Sequence, residues 1–174
     1  MSRFIVVSGL PASGKTTLGR RIADELRLPM LDKDEILERL FQTLGVGDVA
    51  WRRKLSRMAD DELRSLASAA SGAVITSWWQ HPLSAVESGT PINWLRDLPG
   101  EVWELHCVCS PALAADRFVA RQRHHGHLDE RYTPAALLAS FETQHSFGPL
   151  GVGRVVKADT EAEPSVAALL SQMA

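Results

Sequence analysis

Apolar residues along the chain alternate between two spacings. Phe4-Ile5-Val6-Val7 is a continuous, mostly β-branched run closed by Ser8 and Gly9, the pattern of a strand covered on both faces in a parallel sheet. From Lys15 the spacing changes: Leu18, Ile22 and Leu26 recur every four residues as one face of a helix, which Pro29 stops. Pro29 to Asp32 predicts a second short strand, and Ile36, Leu37, Leu40 and Phe41 place a helix over about 34–44, broken by Gly45 and Gly47. Trp51, Leu55, Met58, Leu63, Leu66 and Ala70 keep helical spacing as far as Gly72, and Ala73-Val74-Ile75-Thr76-Ser77 is a third strand. Glu101 to Cys109 predicts a fourth, and Pro111 sits at the first turn of a helix running to about Arg123. Thr133-Pro134 reads as an N-cap followed by the first helical residue, Arg154 to Asp159 as the last strand, and Pro164 as the opening of the final helix.

Five strands separated by helices imply an α/β fold. The expected form is a doubly wound parallel sheet with right-handed crossovers and ligands at the carboxyl ends of the strands. Residues 78–100 break the alternation, holding Pro82, Gly89, Pro91, Pro99 and Gly100 together with Trp78, Trp79 and Trp94. So long an irregular stretch favours a functional role, and it is expected to be an insertion on the substrate side. With 174 residues, 45% of them hydrophobic, the chain is expected to build one core and one domain, residues 1–174.

Charge and cysteine content narrow the class. Nineteen basic against 21 acidic residues leave a formal charge of −2, which provides no field to hold a polyanion, so general nucleic-acid binding is not expected. Cys107 and Cys109 lie two apart in an apolar run, share a strand face and read as reduced core thiols. No apolar run approaches the roughly 18 residues of a membrane span, and the first is too short for a signal segment; a soluble cytoplasmic protein is the expectation.

The chemistry begins between the first strand and the first helix. Gly9-Leu10-Pro11-Ala12-Ser13-Gly14-Lys15-Thr16 fits G-x-x-x-x-G-K-[ST] in the strand-to-helix context that this phosphate-binding loop requires, with Thr17 continuing into the helix. Glycines let backbone N–H groups turn toward phosphate oxygens, and the helix start adds its positive end. Lys15 would reach the β- and γ-phosphates of a nucleotide and Thr16 would offer its hydroxyl to Mg²⁺. Asp32-Lys33-Asp34 follows the second strand, and period-two geometry predicts both carboxylates on one side with Lys33 opposite. One acid near a metal and one near an acceptor hydroxyl suits phosphoryl transfer to an alcohol. The competing reading makes Asp34 a helix cap, with Glu35 and Glu38 complementing the dipole.

Arg117, Arg121 and Arg123 lie on and just past the predicted fourth-strand helix, with Arg117 and Arg121 on one face, placed to close over transferring phosphates. Nearby Asp116 and Glu130 leave a solvated helix face as the alternative. His124-His125-Gly126-His127 has three histidines without the acidic or cysteine partners of a zinc site, and reads as an exposed loop, a mobile lid tip or a substrate contact. Trp78, Trp79 and His81 follow the third strand at the sheet's carboxyl edge and are the candidate substrate contacts; burial of the rings is the competing reading.

VSGLPASGKTTLGRRIADEL, LDKDEI and RFVARQRHHGHLD together resemble the small P-loop kinases of the AAA-type ATP-binding group. That group includes chloramphenicol-phosphotransferase-like, zeta-toxin-like, gluconate-kinase-like and shikimate-kinase-like enzymes. The resemblance spans most of the chain and implies a three-layer P-loop fold with five parallel strands in the order 2-3-1-4-5 and a helical lid at about 117–132. It implies ATP and Mg²⁺ as cofactors, Asp32 holding the metal through water, Asp34 contacting or activating the acceptor hydroxyl, and Arg117, Arg121 and Arg123 as lid arginines. Asp159 and Thr160 would lie near the adenine. In one respect the sequence departs from the pattern: the third strand ends in Thr76-Ser77 where many P-loop proteins place an aspartate, which makes Ser77 a candidate for the metal's water. The reading is a kinase for a hydroxyl of a metabolite, nucleoside or antibiotic, monomer or homodimer, with no membrane partner. A regulatory NTPase and a polynucleotide-end kinase are the alternatives.

Overall fold

A computed structural model describes residues 2–174. In chain order the elements are β1 (Arg3–Gly9), α1 (Lys15–Leu26), β2 (Met30–Asp32), α2 (Lys33–Leu44), α3 (Val49–Ala69), β3 (Ala73–Thr76), β4 (Glu101–Val108), α4 (Pro111–Ala120), α5 (Pro134–Phe147), β5 (Arg154–Asp159) and α6 (Val166–Ser171). The strands form one parallel sheet in the order β2-β3-β1-β4-β5, as the resemblance implied.

Alternation along the strands builds two cores. Phe4, Val6, Ala73 and Ile75 face Leu37 and Phe41 of α2 and Leu55, Ala59 and Leu63 of α3. Ile5, Val7, Val74 and Leu105 face Leu18 and Ile22 of α1 and Leu169 of α6. A smaller cluster packs Phe118 of α4 against Leu137 and Phe141 of α5 beside Leu10. Helix α1 ends through Arg27, whose left-handed backbone lets its N–H and that of Leu28 close back on Asp24 and Ala23, two residues before Pro29.

Several boundaries differ from the sequence reading. Helix α4 ends at Ala120, so Arg121 is already in extended backbone and does not share a helix face with Arg117. The connection from α4 to α5 is irregular chain with two 3-10 turns at His125–His127 and Asp129–Arg131. The last helix starts at Val166 behind a Ser165 cap, beyond Pro164. Thr133 caps α5 as predicted, its side chain accepting from the Ala136 N–H.

Residues 78–100 divide into two parts. Trp79 is buried, donates from Nε1 to the Val7 carbonyl at 2.8 Å and packs on Trp94, whose ring centroid is 6.3 Å away. Trp94 and Leu95, in a 3-10 turn at Asn93–Asp97, plug the α3 side of the core. Trp78 and residues 86–89 instead rim the cleft at the sheet's carboxyl edge.

Candidate active site

The cleft has a volume of about 1540 Å³ and lies over the carboxyl ends of β1, β2 and β3, walled by α3, residues 86–91, the segment 121–132 and the turn after β5. Its floor is the P-loop. Gly9 has φ near +130°, and a β-carbon there would fall 2.6 Å from the Cys107 carbonyl, so no larger residue fits. Gly14, also left-handed, turns the chain into α1. Pro11, Ala12, Gly14, Lys15, Thr16 and Thr17 line the cleft; Gly9 and Leu10 line a small separate recess, and Ser13 is fully buried with its hydroxyl unpartnered.

Lys15 folds back over its own loop, Nζ donating to the carbonyls of Leu10 at 2.6 Å and Gly9 at 3.1 Å. Burial pulls its pKa down to about 8, against the raising pull of Cys107 and Asp34. Thr16 Oγ1 donates to Asp32 Oδ2 at 2.9 Å, and Asp32 Oδ1 accepts the Asp34 N–H at 2.9 Å. Asp32, not Asp34, is therefore the cap of α2. The strand stops at Asp32, so the two acids do not alternate with Lys33 as on a strand. Lys33 also faces the cleft, with Nζ 2.6 Å from Asp60. Burial and the neighbouring Asp34 charge raise the Asp32 pKa to about 6.

Asp32, Thr16 and Thr76 fit a hard divalent cation. Thr76 stands opposite Asp32 in the β2–β3 register, and its hydroxyl is buried without a partner. The Ser77 hydroxyl, the sequence candidate for the metal's water, is hydrogen-bonded to Thr90 Oγ1 at 2.5 Å. Among the described residues no group of three or more His, Cys, Asp and Glu is arranged to hold a metal, the histidine cluster included.

Asp34 meets Arg123, whose Nη2 donates to Oδ2 at 2.5 Å. Burial pushes the Asp34 carboxyl up, but Arg123, and behind it His127, Arg121 and Lys15, hold it below the usual carboxylate range. Arg123 also donates to Asp129 at 3.1 and 3.2 Å, and Arg121 to the same carboxylate at 3.3 Å while lying over the Phe118 ring. Burial, and then Arg123, lower the Arg121 pKa to about 10. Arg117 is already bound: it donates to the Thr160 carbonyl at 2.9 Å and the Glu161 carbonyl at 3.3 Å, strapping the turn after β5. Thr160 borders the cleft, while the Asp159 carboxylate accepts from the Glu161 N–H and is not part of the cleft wall.

Of the candidate substrate contacts, Asp34 and Trp78 reach this cleft. Trp79 is core, and His81 lines the small recess, its Nε2 donating to the Pro149 carbonyl at 3.0 Å, its Nδ1 accepting the Leu83 N–H at 3.1 Å and its ring stacked on Phe147. The sequence reading overlooked Arg52, Arg53 and Arg57 of α3, which line the cleft with Arg131. None of the four has an ion-pair partner among the described residues. Their signal was basic residues flanking the core positions Leu55 and Ala59 on one helix.

The AAA domain family matches residues 4–143. The chain belongs to that family. A shikimate kinase of Corynebacterium jeikeium is 37% identical over 84 residues, 44% of this chain and 45% of that protein. The chain spans about half the length of the curated relatives it matches. A candidate kinase structure from Chloroflexus aurantiacus J-10-fl superposes with a TM-score of 0.74 at 25% identity, covering 99% of this chain and 93% of that one. A shikimate kinase from Bacteroides thetaiotaomicron, at 17% identity and a TM-score of 0.58 over 99% and 96% of the two chains, shares the fold. Family and fold together make this an AAA-domain protein that shares its three-layer fold with those kinase structures.

Proposed function

We propose that this protein transfers the γ-phosphoryl group of Mg-ATP to a hydroxyl of a small acceptor that carries an anionic group. The observation that carries the reading is the convergence on one cleft of Lys15, the Thr16–Asp32 pair and the Asp34–Arg123 pair. Nucleotide phosphates displace the Leu10 and Gly9 carbonyls from Lys15, and Thr160 borders the base. Magnesium, when bound by Thr16 and Asp32, offsets charge on the β- and γ-phosphate oxygens. Asp34 orients the acceptor hydroxyl and takes its proton as the oxygen–phosphorus bond forms and the bond to the β-phosphate oxygen breaks, leaving ADP. Arg121 and Arg123 stand on the side from which the γ-phosphoryl is approached and stabilise its equatorial oxygens; Arg117 holds the turn beside the base.

The anionic group follows from uncompensated charge. Arg52, Arg53, Arg57 and Arg131 face the cleft without acidic partners, a surface that favours a carboxylate or phosphate on the acceptor. The names of the curated relatives agree with this, since shikimate is a hydroxylated carboxylic acid. The test is ADP formation from Mg-ATP against sugar acids, cyclic hydroxy acids, sugar phosphates, nucleosides and aminoglycoside or phenicol antibiotics, with mass spectrometry of the acceptor. Gain of one phosphoryl group on an anionic acceptor is the expected result. Steady ADP release with no phosphorylated product would make the protein an NTPase, and a neutral acceptor would refute the part given to the α3 arginines.

A further inference from the structure

Within the histidine cluster His125 is exposed and His124 half-buried, but the chain turns His127 inward. His127 is 1% exposed, although it lies in the irregular segment between α4 and α5. Its ring bridges two elements: Nε2 lies 3.0 Å from Glu38 Oε1 on α2, and Arg123 Nη2 lies over the ring, 2.9 Å from Nδ1 and 3.4 Å from Nε2. Phe41 of α2 supports the bridge, meeting His127 edge-on at 5.5 Å between centroids and stacking on His124 at 5.3 Å. Gly126 completes the contact, since a β-carbon there would lie 2.7 Å from the Phe41 ring.

The partners fix the chemistry of the ring. A guanidinium has only donors and a carboxylate only acceptors. The ring satisfies both when it is neutral, carrying its proton on Nε2 for Glu38 and offering its face to the Arg123 guanidinium. An imidazolium would set a second buried cation against the guanidinium. Arg123 in turn reaches Asp34 and Asp129. Its guanidinium is therefore held by two acids and one imidazole, and the imidazole ties it to the helix that carries Asp34.

We propose that His127 is a positioning residue: as a neutral Nε2–H imidazole clipped to Glu38 of α2, it sets where the Arg123 guanidinium stands over Asp34 and the phosphoryl-transfer site. The consequence for turnover rests on the kinase reading; the placement of Arg123 does not. Without the imidazole, Arg123 is free to slide toward Asp129 and away from the reacting groups, and a misplacement of about 1 Å costs on the order of 10²-fold in rate.

The test compares His127→Phe, which fills the space without hydrogen bonds, with His127→Gln, whose amide can donate to Glu38 and accept from Arg123. The expected result is an about 10²-fold fall in kcat for the Phe variant, with KM for ATP within about twofold, and recovery of most of that loss in the Gln variant. The groups facing the ring are Asp34 and Glu38 from α2 and Arg123 from its own segment, with Asp129 behind Arg123. Protonation of the Asp32 and Asp34 carboxylates lowers kcat at low pH in both proteins; in the wild type the imidazole takes a second proton as well, so its acid limb should be steeper than that of the Gln variant. Nitrogen-15 spectra of the wild type should show a neutral Nε2–H ring at pH 7 and slowly exchanging Arg123 guanidinium protons, which become averaged in the Phe variant. A Phe variant with wild-type kcat, equal losses in both variants, or an Nδ1–H or charged ring at pH 7 would overturn the proposal. The spectra need no turnover, so a wild type that phosphorylates no acceptor would refute the kinase reading while they still decide where His127 holds Arg123.

Discussion

Thr16 Oγ1 donates to Asp32 Oδ2 at 2.9 Å, tying the P-loop to the residue that caps α2. The other Asp32 oxygen accepts the Asp34 N–H, so one carboxylate positions both the metal-facing threonine and the proposed base. Asp32→Asn keeps a side chain that caps helices well but removes the charge that a cation needs. The expected outcome is that Mg²⁺ strengthens nucleotide binding at least about tenfold less than in wild type, while metal-free affinity stays within about twofold, as read by titration calorimetry. Stability should not fall. The folded pKa near 6 lies above the unfolded 3.8, so the acid costs stability as pH rises from 3.8 through 6, and that cost is fully present at pH 7. The asparagine variant escapes it, and a metal-free melting temperature well below wild type would contradict the account.

Asp34→Asn separates chemistry from binding. Its partner Arg123 keeps Asp129, so the segment between α4 and α5 stays in place. Phosphoryl transfer should fall by about 10²- to 10⁴-fold with nucleotide affinity unchanged. Turnover at the wild-type rate would remove Asp34 from the mechanism.

Lys15 gives nucleotide binding a pH dependence of definite sign. In the empty site its pKa is about 8, because burial disfavours the charge, and a bound polyphosphate raises it again. The complex therefore holds a proton that the free protein loses above pH 8. Affinity should be at its full value below about pH 8 and fall by up to about tenfold per pH unit above it, until the pKa of the complex is reached. Calorimetry with ATP and a chelator at pH 7, 8 and 9 checks this, and a flat profile would mean that Lys15 stays charged in the free protein.

Much of this arrangement was legible in the sequence because it is local. The P-loop needs only a strand, two glycines and a helix start in succession, and the spacing of apolar residues supplied the βα order on which the sheet is built. What was missed depends on contacts between distant segments. Trp79 and His81 look like cleft residues beside Trp78, yet the Trp79 indole finds the Val7 carbonyl and His81 finds Pro149, both more than 60 positions away in the chain. Helix α4 stops before Arg121 because Phe118 and the Asp129 carboxylate hold Arg121 in an extended segment, a constraint that periodicity does not register. His127 looked like part of an exposed loop because its partners Glu38 and Phe41 lie on α2.

Arg57 tests the chemistry of the acceptor. It lies on the exposed rim of the cleft on α3 and has no ion-pair partner among the described residues, so its loss leaves no buried charge stranded. Arg57→Gln should raise KM for an anionic acceptor by about tenfold, with KM for ATP and kcat near wild type, the signature of binding lost equally in ground and transition states. The wild-type KM for the acceptor should also rise with salt, because the contact is partly exposed. An unchanged KM in the variant would place the anionic group against Arg52, Arg53 or Arg131 instead.

Glu104 carries a structural load behind the P-loop. It is fully buried on β4, and its carboxylate accepts from Ser8 Oγ at 2.6 Å and from the backbone N–H groups of Leu150, Gly151 and Val152 at 2.7, 2.8 and 3.4 Å. Ser8 immediately precedes the P-loop and also contacts His106 Nδ1 at 2.8 Å, so one acid joins the loop's entry strand to the turn that leads into β5. In Glu104→Gln one acceptor oxygen becomes an amide donor facing N–H groups that have no other partner. Leaving one or two such groups unsatisfied costs about 2–4 kcal/mol, which for a chain of this length lowers the melting temperature by roughly 4–16 °C. Thermal unfolding followed by circular dichroism measures it. Because Glu104 is outside the cleft, nucleotide affinity below the transition should hold within about twofold. A variant that melts with the wild type would show that water, not this carboxylate, satisfies the turn at Leu150–Val152.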